Sequence, residues 1–481
     1  MANILFLSSE MVPFCKTGGL ADVSGALPAA LKSKGHDVKT VVPFYHIIKQ
    51  EMQVHSNFHI HIGGYPKDGT LLINREDGVD RYFVHNPSYY DREGIYGDQY
   101  GDFGDNDERY AFFCEAALLL CKMENWVPDI IQLNDWQCGI LGPILRLKYR
   151  TDPFFSKTKL VFTIHNLAFQ GFFDSNVYKK FDLPDEVMRF DGMEYHGAAS
   201  YLKAGLQYSD FITTVSPTYA REIQGSEYGC GMENVLQAKS NRLAGILNGI
   251  DEQEWNPAID PHLAGYNYDM DNLAVKHQLK AHFLNSIGLQ YWPEVPLIGM
   301  VSRFAAQKGI SLVESVAEQV LNMGTQMVFL GSGDQNFVNS LNYFQSKYPA
   351  QVRVFDTFST ALSHQIEAAS DYFIMPSRYE PCGLNQMYSL RYGTIPIVYH
   401  TGGLADTVFD CDSNPENGNG YSFYEYTKSG FLNAIERALG LYRFPEMKEL
   451  VQRRGMSIDF SWTRSAQDYE NLFHFLMSEG N

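Results

Sequence analysis

Residues 3–44 read NILFLSSEMVPFCKTGGLADVSGALPAALKSKGHDVKTVVPF, and this stretch decides the fold. Ile4 to Leu7 is an apolar run of strand length. After the Gly18-Gly19 turn, Val23, Ala26, Leu27, Ala30 and Leu31 recur at i, i+3, i+4, i+7 and i+8, the spacing of one helix face. Gly35 supplies a stop, and Val38 to Phe44 resumes a strand. Strand, glycine loop, helix and strand make a βαβ unit.

The pattern recurs along the chain. DIIQL (Asp129 to Leu133) and KLVFTIHN (Lys159 to Asn166) read as buried strands, and FITTVS (Phe211 to Ser216) follows a helical stretch. Past NGID (Asn248 to Asp251), the segment EWNPAIDP is the best linker candidate. A second series then begins with PLIGMVSR, QMVFLGSGD, VRVF, DYFIMPS and TIPIVYH, separated by helical segments. Such alternation means an α/β fold of parallel sheets covered by helices. The expectation is two Rossmann-like domains facing a central cleft, over residues 1–250 and 251–455, with ligands outside the strand carboxyl ends.

The hexapeptide TGGLAD occurs twice, at Thr17–Asp22 and Thr401–Asp406. Both copies follow an apolar strand, one in each expected domain. They are read as two loops lining one cleft, with chance or local packing as the alternative; Lys16 before the first copy, against His400 before the second, makes the first the phosphate loop and the second the opposite wall.

Composition narrows the partners. A chain of 481 residues with 45% hydrophobic and 14% aromatic residues folds into more than one core. A formal charge of -18 disfavours nucleic acid and anionic membrane, whereas a neutral sugar polymer carries no such penalty. Seven cysteines without a C-x-x-C pair suit a reducing cytoplasm. MANILFLSSE lacks a basic segment and reads as a buried strand, not a signal peptide, and no apolar run is long enough to span a bilayer.

Several strand ends carry chemistry. Lys16 before Gly18 and Gly19, with a helix following, can meet an anion through charge and backbone N–H groups. Asp22 reads equally as a helix cap and as a functional carboxylate. Arg303 and Lys308 in SRFAAQKG suit a diphosphate, each cation taking a different oxygen. In SRYEPCGLNQ, Glu380 and the backbone of Cys382, Gly383 and Leu384 can hold sugar hydroxyls, with Cys382 itself read as packed and not as a nucleophile. Asp135 and His165 also lie at strand ends. Alone, the first reads as a helix cap and the second as a satisfied core histidine. Trp136 offers a flat face for a sugar ring, although buried tryptophan is commoner.

Taken together, KTGGLADV, NDWQ, TIHNLAFQG, NGID, SRFAAQKG, SRYEPCGLNQ, GTIPIVYHTGGLADTV and FSWTRSAQDY closely resemble the bacterial glycogen synthase and plant starch synthase family, retaining glycosyltransferases of the GT-B fold. The resemblance implies glucose transfer from a nucleotide diphosphate glucose to the non-reducing end of an α-1,4-glucan, without a metal or other cofactor. It implies that Lys16 and Gly18 meet the donor diphosphate, with Gly19, Asp22, Asn248 and Asn385 beside them. Arg303 and Lys308 would neutralise the leaving phosphate, Glu380 would hold the glucosyl ring, His165 and Asn166 would contact the sugar, and Asp135 would lie near the acceptor. Residues 456–481 would form a helix returning to the first domain. Tyr96, in the tyrosine-rich segment Asn86 to Tyr110, and Trp136 would serve the acceptor.

Departures from the family concern the base. VRVFDTFST lacks the usual Gly-Tyr-x-Glu run, leaving Phe355 or Phe358 to stack on it. Asn385 stands where threonine is frequent, and Tyr388 where related families place a second glutamate. ADP-glucose is the expected donor, with UDP-glucose or another polymer as the alternative. A weakly active carbohydrate-binding protein is the competing reading of another class.

Overall fold

The structure is a computed structural model that describes residues 1–76 and 78–479. The chain forms two units. One is Met1–Gly249 together with the chain from Trp462 on, and the other is Ile250–Ser461.

The first unit is built on nine strands in one sheet. These are β1 (Asn3–Leu7), β2 (Asp37–Pro43), β3 (Gln53–Ile62), β4 (Tyr65–Glu76), β5 (Val79–His85), β6 (Ile130–Asn134), β7 (Lys159–Ile164), β8 (Phe211–Thr214) and β9 (Leu243–Gly245). Their order is β9-β8-β7-β6-β1-β2-β5-β4-β3. Neighbours from β9 to β5 pair parallel. Ile4 to Leu7 are buried, as a strand covered on both faces requires. The chain runs from β1 outward through β2, then returns to place β6 on the other side of β1. That reversal opens a crevice beyond the ends of β1 and β6.

At one edge β3 and β4 extend the sheet antiparallel. The signal is period-2 alternation, with Phe58, Ile60 and Ile62 buried between exposed Asn57, His59 and His61. The sequence reading had assigned no such hairpin.

The second unit has a six-stranded sheet of β10 (Leu297–Val301), β11 (Gln326–Gly331), β12 (Val352–Asp356), β13 (Tyr372–Met375), β14 (Ile395–Tyr399) and β15 (Tyr421–Phe423). The order is β12-β11-β10-β13-β14-β15, with every pairing parallel. Its reversal lies between β10 and β13. Apolar clusters cover both faces, one around Phe329, Ile374 and Ile435, the other around Val328, Phe373 and Leu404.

Two boundaries differ from expectation. EWNPAIDP is not a linker: Trp255 is buried in the second unit between His364 and Tyr388, with ring centroids 3.9 and 3.7 Å away and nearly parallel planes. Asp260 bonds His364 and Tyr392 there. The crossing back lies at Ser461–Trp462, not at residue 456, and the Ile250 N–H donates to the Phe460 carbonyl.

The last helix, Trp462–Ser478, belongs to the first unit. Trp462, Ala466, Tyr469, Leu472, Phe473 and Leu476 keep helical spacing and share a core with Val23, Leu27 and Leu31 of the first helix, Gly19–Ser33. Among the described residues no helix is long and apolar enough to cross a membrane.

Candidate active site

The reversal between β10 and β13 holds a cavity of about 170 Å³, lined in part by Arg303, Lys308, Ser377 and Asn385. Arg303 lies two residues past Val301, the end of β10, and is exposed. Among the described residues its side chain has no hydrogen-bond or ion-pair partner. Lys308 ends the short turn Ala306–Lys308 and pairs with Glu380 at 2.5 Å. The sequence reading named both residues but did not join them across the 72 positions that separate them.

Glycine makes this approach possible. Gly309 has φ +75°, and a Cβ there would lie 2.0 Å from the Pro376 carbonyl oxygen. Only glycine lets the Lys308 turn sit against the end of β13. The Arg378 N–H donates to the Gln307 carbonyl at 2.9 Å, and the Gln307 amide donates to the Tyr379 carbonyl at 3.1 Å. The two loops are thus sewn together behind the Lys308–Glu380 pair.

The second TGGLAD copy has a local task. A Cβ on Gly402 or Gly403 would fall 2.0 Å from the Glu380 or Cys382 carbonyl oxygen respectively. The Gly403 N–H donates to the carbonyls of Glu380 and Pro381, both at 3.2 Å. Gln386 donates to the Cys382 and Gly383 carbonyls at 3.1 Å, and Gly383 turns with φ +73°. The loop is the bed of the Glu380–Leu384 turn in its own unit. Cys382 is buried, as expected of a packed residue.

Of the two phenylalanines proposed for the base, Phe355 lies half-buried against the core cluster of its sheet, while Phe358 is 86% exposed. The free aromatic face is that of Phe358.

In the first unit the glycine loop closes on a residue the sequence reading missed. Buried Glu10 accepts hydrogen bonds from the backbone N–H groups of Thr17 and Gly18, the Thr17 hydroxyl and the Tyr96 hydroxyl. The Gly18 N–H, expected to meet a diphosphate, is therefore engaged at 3.1 Å. Space stays open in front of Gly18, where a Cβ would meet nothing within 4 Å. A carboxylate directly beyond β1 was the available signal. Lys16 pairs with Asp22 at 2.7 Å, and the helix has no side-chain N-cap bond, so Asp22 is not a cap. Burial raises the Asp22 carboxyl against the pull of Lys16.

Tyr96 also bonds Ser9 at 2.8 Å, so its phenol braces the end of β1. Trp136 does not offer a sugar platform. Its ring is buried against Tyr110 and Phe173 (centroids 5.1 and 5.8 Å), and a Cβ on Gly171 would meet it at 2.4 Å. Asn248 is buried, and among the described residues its side-chain oxygen has no hydrogen-bond partner.

At the β1/β6 reversal, Asn134 donates to the Leu7 carbonyl at 2.7 Å, which turns its oxygen toward His165 Nε2 at 2.9 Å. His165 must donate from Nε2, leaving Nδ1 as an acceptor in the neutral ring. Burial pushes the imidazole down to about 3 and keeps it neutral. Asp135 sits at φ +56° and accepts from the His165 N–H at 2.7 Å and the Asn166 N–H at 3.4 Å. Asn166 spends its own oxygen on the Ala168 N–H.

Burial pushes the Asp135 carboxyl up to about 7, against those two N–H bonds. A raised carboxyl pKa means the folded state holds a proton that the unfolded state has lost. Stability from this group is therefore full below the unfolded value of about 4 and falls as pH rises toward 7. Asp135→Asn keeps a residue that tolerates φ > 0. Its melting temperature relative to the original chain is expected to climb between pH 4 and 7 and level off above. A pH-independent difference would contradict this burial.

Comparison with known proteins adds the following. The family model described as starch synthase catalytic domain matches residues 3–238, and that of glycosyl transferases group 1 matches residues 292–453. The chain is 45% identical to a glycogen synthase of Myxococcus xanthus, covering 99% of this chain and 100% of that one. It is 43% identical to a glycogen synthase of Syntrophotalea carbinolica, covering 98% of both. The catalytic domain of starch synthase IV from Arabidopsis thaliana, solved bound to ADP and acarbose, superposes with TM-score 0.90 at 34% identity over 99% of each chain.

Proposed function

Because the chain belongs to the glycogen and starch synthase family of GT-B glycosyltransferases, we propose that it transfers glucose from ADP-glucose to the non-reducing end of an α-1,4-glucan with retention at the anomeric carbon. The observation that carries the reading is the cavity at the β10/β13 reversal, lined by the cations Arg303 and Lys308, the second of them held by Glu380.

Breaking the bond from glucose to the diphosphate puts negative charge on the departing phosphate and positive charge on the anomeric carbon. Arg303 and Lys308 answer the first charge where it appears, Lys308 from a position already held by Glu380. The Lys308 ammonium is held by Glu380, and the Glu380–Leu384 turn supplies the backbone groups assigned to glucose. In the first unit neutral His165, with Nδ1 free to accept, is assigned to a sugar hydroxyl, and Asp135 fixes the backbone that carries it. Lys16 and Asn248 are assigned to the donor. A front-face attack assisted by the departing phosphate fits these groups without a metal. A reducing cytoplasm suits seven cysteines without a C-x-x-C pair.

Adenine is the preferred base because the Arabidopsis starch synthase was solved with ADP. The test is release of nucleoside diphosphate from each donor with glycogen present, read as kcat/KM. At least tenfold preference for ADP-glucose is expected, about 1.4 kcal/mol at the transition state. A comparable preference for UDP-glucose would overturn the donor while keeping the class, and no release from either would leave a binding protein.

A further inference from the structure

Glu367, in the helix Thr360–Ala369, is fully buried, and no step of the transfer uses it. One of its oxygens accepts from the Ser389 hydroxyl at 2.6 Å, the other from the Asn385 amide nitrogen at 3.2 Å. The same nitrogen reaches the Val301 carbonyl at the end of β10, 3.4 Å away. Asn385 lines the cavity that holds Arg303 and Lys308. An amide, unlike the threonine frequent in the family at this position, has separate donor and acceptor ends. Here the donor end is turned to Glu367 and Val301.

A packing role would be filled at lower cost by an apolar side chain, since a carboxyl is expensive to bury. Burial also pushes Glu367 up to about 8, so near neutral pH it sets little negative charge beside a diphosphate.

We propose that Glu367 is a positioning residue for the donor: by holding the Asn385 Nδ2 donors it leaves the amide oxygen at the cavity wall to accept from a hydroxyl of the nucleotide. The inference rests on the donor reading of that cavity.

The test is calorimetric titration of ADP, with UDP in parallel, into the full chain and its variants. Glu367→Met is expected to weaken ADP about 3–10-fold, the scale of one lost hydrogen bond. Glu367→Gln, which keeps an acceptor for Asn385, should stay within about twofold of the original chain. Asn385→Thr should weaken ADP as well, and adding Glu367→Met to it should change nothing more, because the two act through one contact. The KM for glycogen should not move. Unchanged affinity in Glu367→Met, or multiplying effects in the double variant, would overturn the proposal. If Glu367→Met does not fold, Ser389→Ala releases the other carboxyl oxygen. It should weaken ADP about twofold or more, and no change would overturn the proposal equally. Failure of the original chain to bind either nucleotide would instead sink the donor reading itself.

Discussion

Arg303→Ala is expected to lower kcat/KM for the donor by about 10²–10³-fold, roughly 3–4 kcal/mol, the scale of one preorganised electrostatic group. Thermal stability should hardly change. The side chain is exposed and makes no bond within the described residues, so its removal orphans nothing. Substitutions of that kind usually stay within about 0.5 kcal/mol of the parent. The combination is diagnostic, since a residue with no structural duty that carries a large share of the rate must act on substrate. Steady-state kinetics alongside a melting curve checks both halves. A near-parental rate would remove the diphosphate from this cavity.

Lys308→Ala should behave differently. The rate should fall at least as far, by about 10²–10³-fold, and the melting temperature should fall with it. Lys308 is paired with Glu380, whose side chain is only 9% exposed. Without the ammonium that carboxylate is left buried and unpaired, a cost of about 1–3 kcal/mol. Adding Glu380→Gln removes the stranded charge. The double variant should regain most of the stability and none of the turnover. If it regained turnover, the loss in Lys308→Ala would be a folding defect and the cation would have no part in the chemistry.

The contrast between these two residues marks what sequence alone can carry. Position at a strand end is local and was read correctly for Arg303, Lys308 and Glu380, because apolar runs and glycine turns announce where strands stop. Pairing is not local. Lys308 and Glu380 meet only because β10 and β13 are neighbours, an adjacency that follows from crossover order and not from either motif. The same limit explains why Glu10 was missed, since its bonds to Thr17, Gly18 and Tyr96 exist only once the loop has folded over it. Trp136 was misjudged for the opposite reason. An aromatic side chain suits a ligand and a core equally, and only its neighbours decide. The repeated TGGLAD shows this limit too. One copy closes over a carboxylate with open space before Gly18, while the other supports a turn, although the six letters are identical.

The helix Trp462–Ser478 completes the core of the unit that begins at Met1. During synthesis more than two hundred intervening residues must leave the ribosome before that core can close. Domains usually mature in the order in which they are made. Here the second unit is fully emerged while Val23, Leu27 and Leu31 still lack their cover. The first-made half is therefore the last to finish, and the nascent chain carries an unsealed apolar face for most of its translation.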